Sequence, residues 1–134
     1  MSDWKGPLAG LRVLDLTRVL AGPMASQLLG DLGADIIKVE PPGRGDETRG
    51  FAPFFGTESH YFVNLNRGKR SAVIDLKKPD ARAAFLRLVR SYDVLFEQFR
   101  PGVMTRLGLG YDDLKAVNPG LIYCAITGYG QDGV

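Results

Sequence analysis

The run ADIIKVE, Ala34–Glu40, decides the fold. Its first part, ADIIKV, is a nearly continuous apolar run. A glycine, Gly33, precedes it, and Pro41 and Pro42 follow it. A short apolar run bounded by turn residues reads as a strand. LIYCAI, Leu121–Ile126, has the same character. Such runs fit parallel strands covered on both faces.

Working outward, LRVLDL (Leu11–Leu16) reads as a first strand. AGP follows it, and then Met24, Leu28, Leu29 and Leu32 recur at helical spacing on one face. Gly33 stops that helix as a glycine just past a helix end does. From PPGRGDETRG to about Asn66 the chain reads as a long irregular stretch, within which TESHYFVNLN holds a short helix or strand. A loop this long in a compact domain is more often functional than idle. SAVIDL (Ser71–Leu76) is a third strand. Pro79 opens a helix lined by Ala81, Ala84, Phe85 and Leu88, with Asp80 in its first turn, where the helix dipole favours an anion. DVLFEQF (Asp93–Phe99) is the fourth strand. RPGVMTRLGLG is a turn with one helical turn, YDDLKAV is a short helix, and LIYCAI is the fifth strand. The fold read from these elements is α/β: a Rossmann-like open, mainly parallel sheet with flanking helices. Ligands of such sheets bind beyond the carboxyl ends of the strands.

The composition narrows the function classes. The chain has 134 residues, 45% of them hydrophobic and 24% charged, the balance of an ordinary globular domain. Seventeen Lys+Arg stand against fifteen Asp+Glu, which is too even to imply nucleic acid as a partner. One cysteine excludes an internal disulfide, and one histidine argues against a Cys/His metal site. The N-terminal MSDWKGPLAG has no apolar signal core, and no run approaches the roughly 18 apolar residues of a membrane span. The expectation is a cytoplasmic protein with no membrane and no metal.

The chain ends on ITGYGQDGV, in which Gly128, Gly130 and Gly133 form a literal G-x-G-x-x-G. A dinucleotide loop needs a helix opening at its third glycine and an acid about 20 residues further on. Only Val134 remains, and the motif follows the fifth strand rather than the first, so the dinucleotide reading fails. The segments after the predicted strands instead gather cations and glycines. Lys77, Lys78, Arg100 and Arg106 stand there, and the helix beginning near Gly22 adds its N-terminal N–H groups. Together they suggest an anion-binding crevice, although each cation taken singly reads as a solvated surface charge. His60 reads as a surface histidine and Cys124 as an inert core thiol. Asp46, Glu47 and Asp132 read as solvent-facing loop carboxylates.

GLRVLDLTRVLAGPMASQLLGDLGADIIKVEPPGRGDETRG, NRGKRSAVIDLKKP, DVLFEQFRPGVMTRLGLGYDDL and NPGLIYCAITGYGQDG occur in this order. Together they resemble the class III (CaiB/BaiF) coenzyme A transferases, and most closely the dicarboxylate (succinyl/glutaryl) branch. The resemblance runs from Pro7 to the end. It implies that residues 1–134 are the N-terminal, CoA-binding part of a Rossmann-like large domain. The family's small domain and C-terminal segment are absent, as is the nucleophilic aspartate; in the full-length family, the resemblance implies, two subunits interlock as a homodimer. The implied substrates are coenzyme A, carried as an acyl-CoA, and a carboxylic acid acceptor. The aspartate attacks the thioester, giving a mixed anhydride and then an enzyme-bound CoA thioester.

Carried over by motif, Val19 and Leu20 line the crevice near the thioester. Ile74, Lys77, Gln98, Phe99, Arg106 and Leu107 hold the nucleotide end of CoA. Ile74, Phe99 and Leu107 would sandwich adenine, and Lys77 and Arg106 would meet phosphate oxygens. Leu20 stands where oxalate-using members have a glutamine, which speaks against oxalate. Pro41 stands where several members have an arginine, and Gln98 where asparagine is common. Two other readings stand beside this one: the same part of an acyl-CoA racemase of the α-methylacyl-CoA type, and a non-catalytic CoA- or nucleotide-binding module.

Overall fold

A computed structural model describes residues 5–133; Val134 and the first four residues of the N-terminal MSDWKGPLAG lie outside them. Five strands form one sheet: β1 (Arg12–Asp15), β2 (Asp35–Glu40), β5 (Arg70–Val73), β6 (Val94–Glu97) and β7 (Ile122–Ala125). Two short strands, β3 (Phe54–Phe55) and β4 (Glu58–Ser59), make a separate antiparallel ribbon. The helices are α1 (Ala21–Asp31), α2 (His60–Asn66), α3 (Pro79–Val89), α4 (Val103–Arg106) and α5 (Tyr111–Val117).

All four pairings in the main sheet are parallel, and the order is β5-β2-β1-β6-β7. The chain starts in the middle, builds outward to β5, then returns to β1's other side. That reversal lies between β1 and β6, where Leu14 faces Ile37 on one flank and Leu95 on the other. Every strand and helix read from the sequence is present; β1, β2, β6 and β7 are one to three residues shorter than read, while β5 begins one residue earlier, at Arg70, and ends three earlier, at Val73. TESHYFVNLN holds both β4 and α2. Ile74 to Leu76, read as strand, leave the sheet and become a wall of the site described below. Gly33 does sit just past α1, at φ +104, a left-handed geometry that costs glycine nothing. Pro79 opens α3 as expected.

Alternation along β1 divides the core. Leu14 packs with Leu95, Phe85, Val89 and Leu114 on the face covered by α3 and α5, while Val13 packs with Ile36, Val94 and the half-buried Leu29 on the α1 face. The apolar stripe on α1 reverses an expectation. Met24, Leu28 and Leu32 are exposed, and the helix turns Gly22, Pro23, Ser26 and Gln27 inward. The cause is beneath it. Ser26 Oγ donates to the buried Asp15 at 2.5 Å, and a Cβ on Gly22 would run into the Thr17 side chain and the Gln98 amide oxygen. Polar pairing and close approach, rather than the apolar stripe, set the rotation of α1.

Candidate functional site

The site lies across the carboxyl ends of β1 and β2, walled by the segments that follow β5 and β6. Its cavity of about 370 Å³ has an apolar wall of Leu16, Val39, Ile74, Phe99 and Leu107, and Arg18, Asp75 and Lys77 are among its polar residues. Ile74 and Leu107 come from opposite sides of the sheet order, and only the parallel stacking of β5, β2, β1 and β6 sets them around one space.

Four of the eight residues carried over by motif, Ile74, Lys77, Phe99 and Leu107, line this cavity. Val19 and Leu20 sit on the loop between β1 and α1. Gln98 is half-buried, and its Oε1 accepts the Gly22 N–H at 3.2 Å. Arg106 is exposed at the end of α4. Lys78 and Arg100 are also exposed, as surface cations are expected to be. The α1 N-terminus offers an anion fewer N–H groups than the sequence suggests. Of its first three residues, Gly22 spends its N–H on Gln98 and Pro23 has none.

Behind the site lies a set of buried charges. Lys69 Nζ is 3.0 Å from Asp15 Oδ2 and also within hydrogen-bond distance of Pro23 O, Ser26 Oγ and Asn66 Oδ1. Lys38 Nζ donates to Thr17 O at 2.8 Å and lies 2.8 Å from Asp46 Oδ2. Asp46, read as a solvent-facing loop carboxylate, is 1% exposed. It caps the 3₁₀ turn Glu47–Gly50 through the Thr48 N–H and accepts the Val19 N–H at 3.4 Å. Glu47 and Asp132 are exposed as expected.

This set fixes the loop from Thr17 to Leu20. Val19 has φ +68, a left-handed conformation that strains a β-branched residue and persists only where its surroundings impose it. Here Lys38 holds the preceding turn through Thr17 O, and Asp46 accepts from Val19 itself. Nothing periodic marks Asp15, Lys38, Asp46 or Lys69 in the sequence. The available signal, for Asp15 and Lys38 alone, is a charged residue inside an apolar strand, since a buried charge must be paired.

The long stretch after β2 is tied down by Glu40. Its carboxylate accepts Arg49 Nε at 2.8 Å and Nη2 at 2.6 Å, the Ser71 hydroxyl, and the Asp46 N–H. Burial alone would raise its pKa, but these donors outweigh burial and hold it at about 2, against an ordinary 4.5. Asp46 is also lowered, burial again opposing and Lys38 and Thr48 prevailing. A carboxylate depressed in the folded state adds stability above its unfolded pKa, and that stability is lost as pH falls through the folded value. For Glu40 the window is therefore from about 4.5 down to about 2. Burial raises Glu97 instead, so that group is favoured protonated on folding and opposes the trend. The melting temperature of the protein is expected to fall steeply below pH 4.5. The Glu40→Gln variant, compared across the same scan, should show a flatter slope, losing on the order of 3 kcal/mol less stability across that window. Equal slopes would mean that Glu40 is not engaged.

A second, more polar cavity of about 290 Å³ lies beyond β6 and β7, where Glu97, Arg100, Tyr111, Tyr123 and Gln131 meet. The terminal glycine motif reaches it only through Gln131, and no helix follows the motif within the described residues. His60 is exposed, though at the start of α2 rather than in a loop, and Cys124 is half-buried, its thiol pushed up by burial and by Glu97. No helix among the described residues is long and apolar enough to cross a membrane.

The sequence matches the family described as CoA-transferase family III over residues 8–134. It is 55% identical over 129 residues to an acetyl-CoA:oxalate CoA-transferase of Acetobacter aceti, covering 96% of this chain and 33% of that protein. It is 51% identical over 128 residues to a human succinyl-CoA:glutarate CoA-transferase, covering 95% of this chain and 29% of that protein. Among solved structures, Rv3272 from Mycobacterium tuberculosis superposes with a TM-score of 0.90 at 48% identity, over 96% of this chain and 36% of that one. A CaiB/BaiF family protein from Brucella suis superposes with a TM-score of 0.91 at 46% identity, over 98% and 36%. The chain spans about a third of the length of these relatives. Their names favour transfer over racemisation. On this sequence match and this fold, the chain belongs to CoA-transferase family III.

Proposed function

We propose that this chain is the N-terminal, CoA-binding part of the large domain of a transferase that moves CoA from an acyl-CoA thioester to a carboxylic acid. The observation that carries the reading is the apolar cavity over the ends of β1 and β2, with Lys77 beside Ile74, Phe99 and Leu107. In this reading those three apolar side chains hold adenine, Lys77 and Arg106 meet phosphates, and Gln98 braces the first turn of α1. Val19 and Leu20 border the thioester end. The nucleophilic aspartate comes from chain beyond residue 134, and the working enzyme is an interlocked homodimer in the cytoplasm with no metal. CoA here is substrate, not a resident cofactor.

Two measurements test this. Calorimetric titration of the protein with CoA should show saturable binding, and a transfer assay with succinyl-CoA and glutarate should show no turnover by residues 1–134. Absence of CoA binding would remove the site assignment. Turnover by these residues alone would show that the nucleophile is already present.

A further inference from the structure

We infer that Arg18 is a ligand-binding residue of this site, held by Glu47 until a phosphate group of the ligand displaces that carboxylate. The inference rests on the reading that the cavity takes a CoA-type nucleotide. Arg18 leaves β1 by the loop that the buried charges fix, and it lines the same cavity as Lys77. It lies in the TRVLAGP stretch but is not among the eight residues carried over by motif.

What holds Arg18 is weak. One guanidinium nitrogen lies 3.2 Å from Glu47 Oε1, and the two side chains are 39% and 59% exposed. An exposed pair of this kind contributes little, being solvated and screened. The guanidinium carbon is 5.7 Å from the centre of the Phe99 ring, near the outer limit of a cation–π contact. Arg49, by contrast, is committed to the buried Glu40 through two nitrogens, and Lys38 and Lys69 are enclosed with their carboxylates. Of the two acids at the cavity, Glu40 is paired with Arg49, and Asp75 Oδ1 accepts the Lys77 N–H at 3.1 Å, a bond that brings no counter-charge. An anion entering beside Phe99 therefore meets Arg18 and Lys77. A phosphate offers the guanidinium two parallel hydrogen bonds where Glu47 now offers one, and such paired, charge-assisted bonds are the stronger kind.

The test uses the intact protein carrying this sequence, titrated with CoA, 3′-dephospho-CoA and adenosine. Arg18→Gln should weaken CoA binding about tenfold or more while leaving adenosine unchanged. Glu47→Gln should bind CoA as well as wild type, or more tightly. A loss in Arg18→Gln without a loss in Glu47→Gln is what a merely structural ion pair would not give. A loss of affinity confined to CoA assigns Arg18 to the 3′-phosphate, and a loss shared by 3′-dephospho-CoA assigns it to the diphosphate; either supports the inference. If Arg18→Gln binds CoA like wild type, or Glu47→Gln loses as much as Arg18→Gln, the inference is overturned. Failure of the wild type to bind CoA is a separate result, and it overturns the nucleotide reading itself.

Discussion

Lys69→Met is expected to destabilise the fold by about 3–5 kcal/mol, the range for removing one partner of a buried ion pair. The Lys69 side chain is 2% exposed and the Asp15 side chain 0%. With the ammonium gone, the Asp15 carboxylate keeps the Thr17 and Ser26 donors but loses its counter-charge in a site closed to water. Pro23 O and Asn66 Oδ1 lose their donor as well. The loss is therefore felt in β1, α1 and α2 together. Domains commonly have only about 5–15 kcal/mol of stability in all, so the shift in urea midpoint should be large. Adding Asp15→Asn to the variant should recover part of the loss, because the uncompensated charge, rather than the missing contact, is the main cost. A single variant as stable as wild type would mean that the pair is not enclosed.

Phe99→Ala is expected to lower CoA affinity by about 1–3 kcal/mol, roughly 5- to 150-fold, the range measured for removing an aromatic that stacks on a base. Phe99 follows β6 and faces the cavity with Ile74 and Leu107. It is a half-buried satellite of the main core rather than its centre, so the variant should stay folded. Adenosine separates the causes. A stacking role predicts a similar proportional loss for adenosine and for CoA, whereas a loss seen only with CoA would point to displaced phosphate contacts. A folded variant that binds both within twofold of wild type would remove Phe99 from the site.

The two predictions differ in how far each was legible in the sequence. Phe99 stands in a family motif, EQF, at the end of a strand that apolar patterning marks. Its place beside Ile74 and Leu107, however, needs the sheet order, because residues 74 and 107 flank strands that are not neighbours. Lys69 and Asp15 are 54 positions apart, and a contact of that span leaves no periodic trace. The orientation of α1 shows the same limit. Apolar spacing located the helix but misread its buried face, because the spacing carries no information about Asp15 beneath it.

What the sequence determined by itself is the succession of elements. Apolar runs such as ADIIKV and LIYCAI, helical spacing, Gly33 and Pro79 act over a few residues, so they are readable along the chain. Only the tertiary structure decided the order β5-β2-β1-β6-β7, which side chains wall the cavity at its carboxyl end, and the enclosure of Asp15, Lys38, Asp46 and Lys69. The physical reason is the nature of burial. Whether a charge is solvated or paired depends on which distant group packs against it, and for Lys38 and Lys69 that group was a carboxylate brought there by the fold.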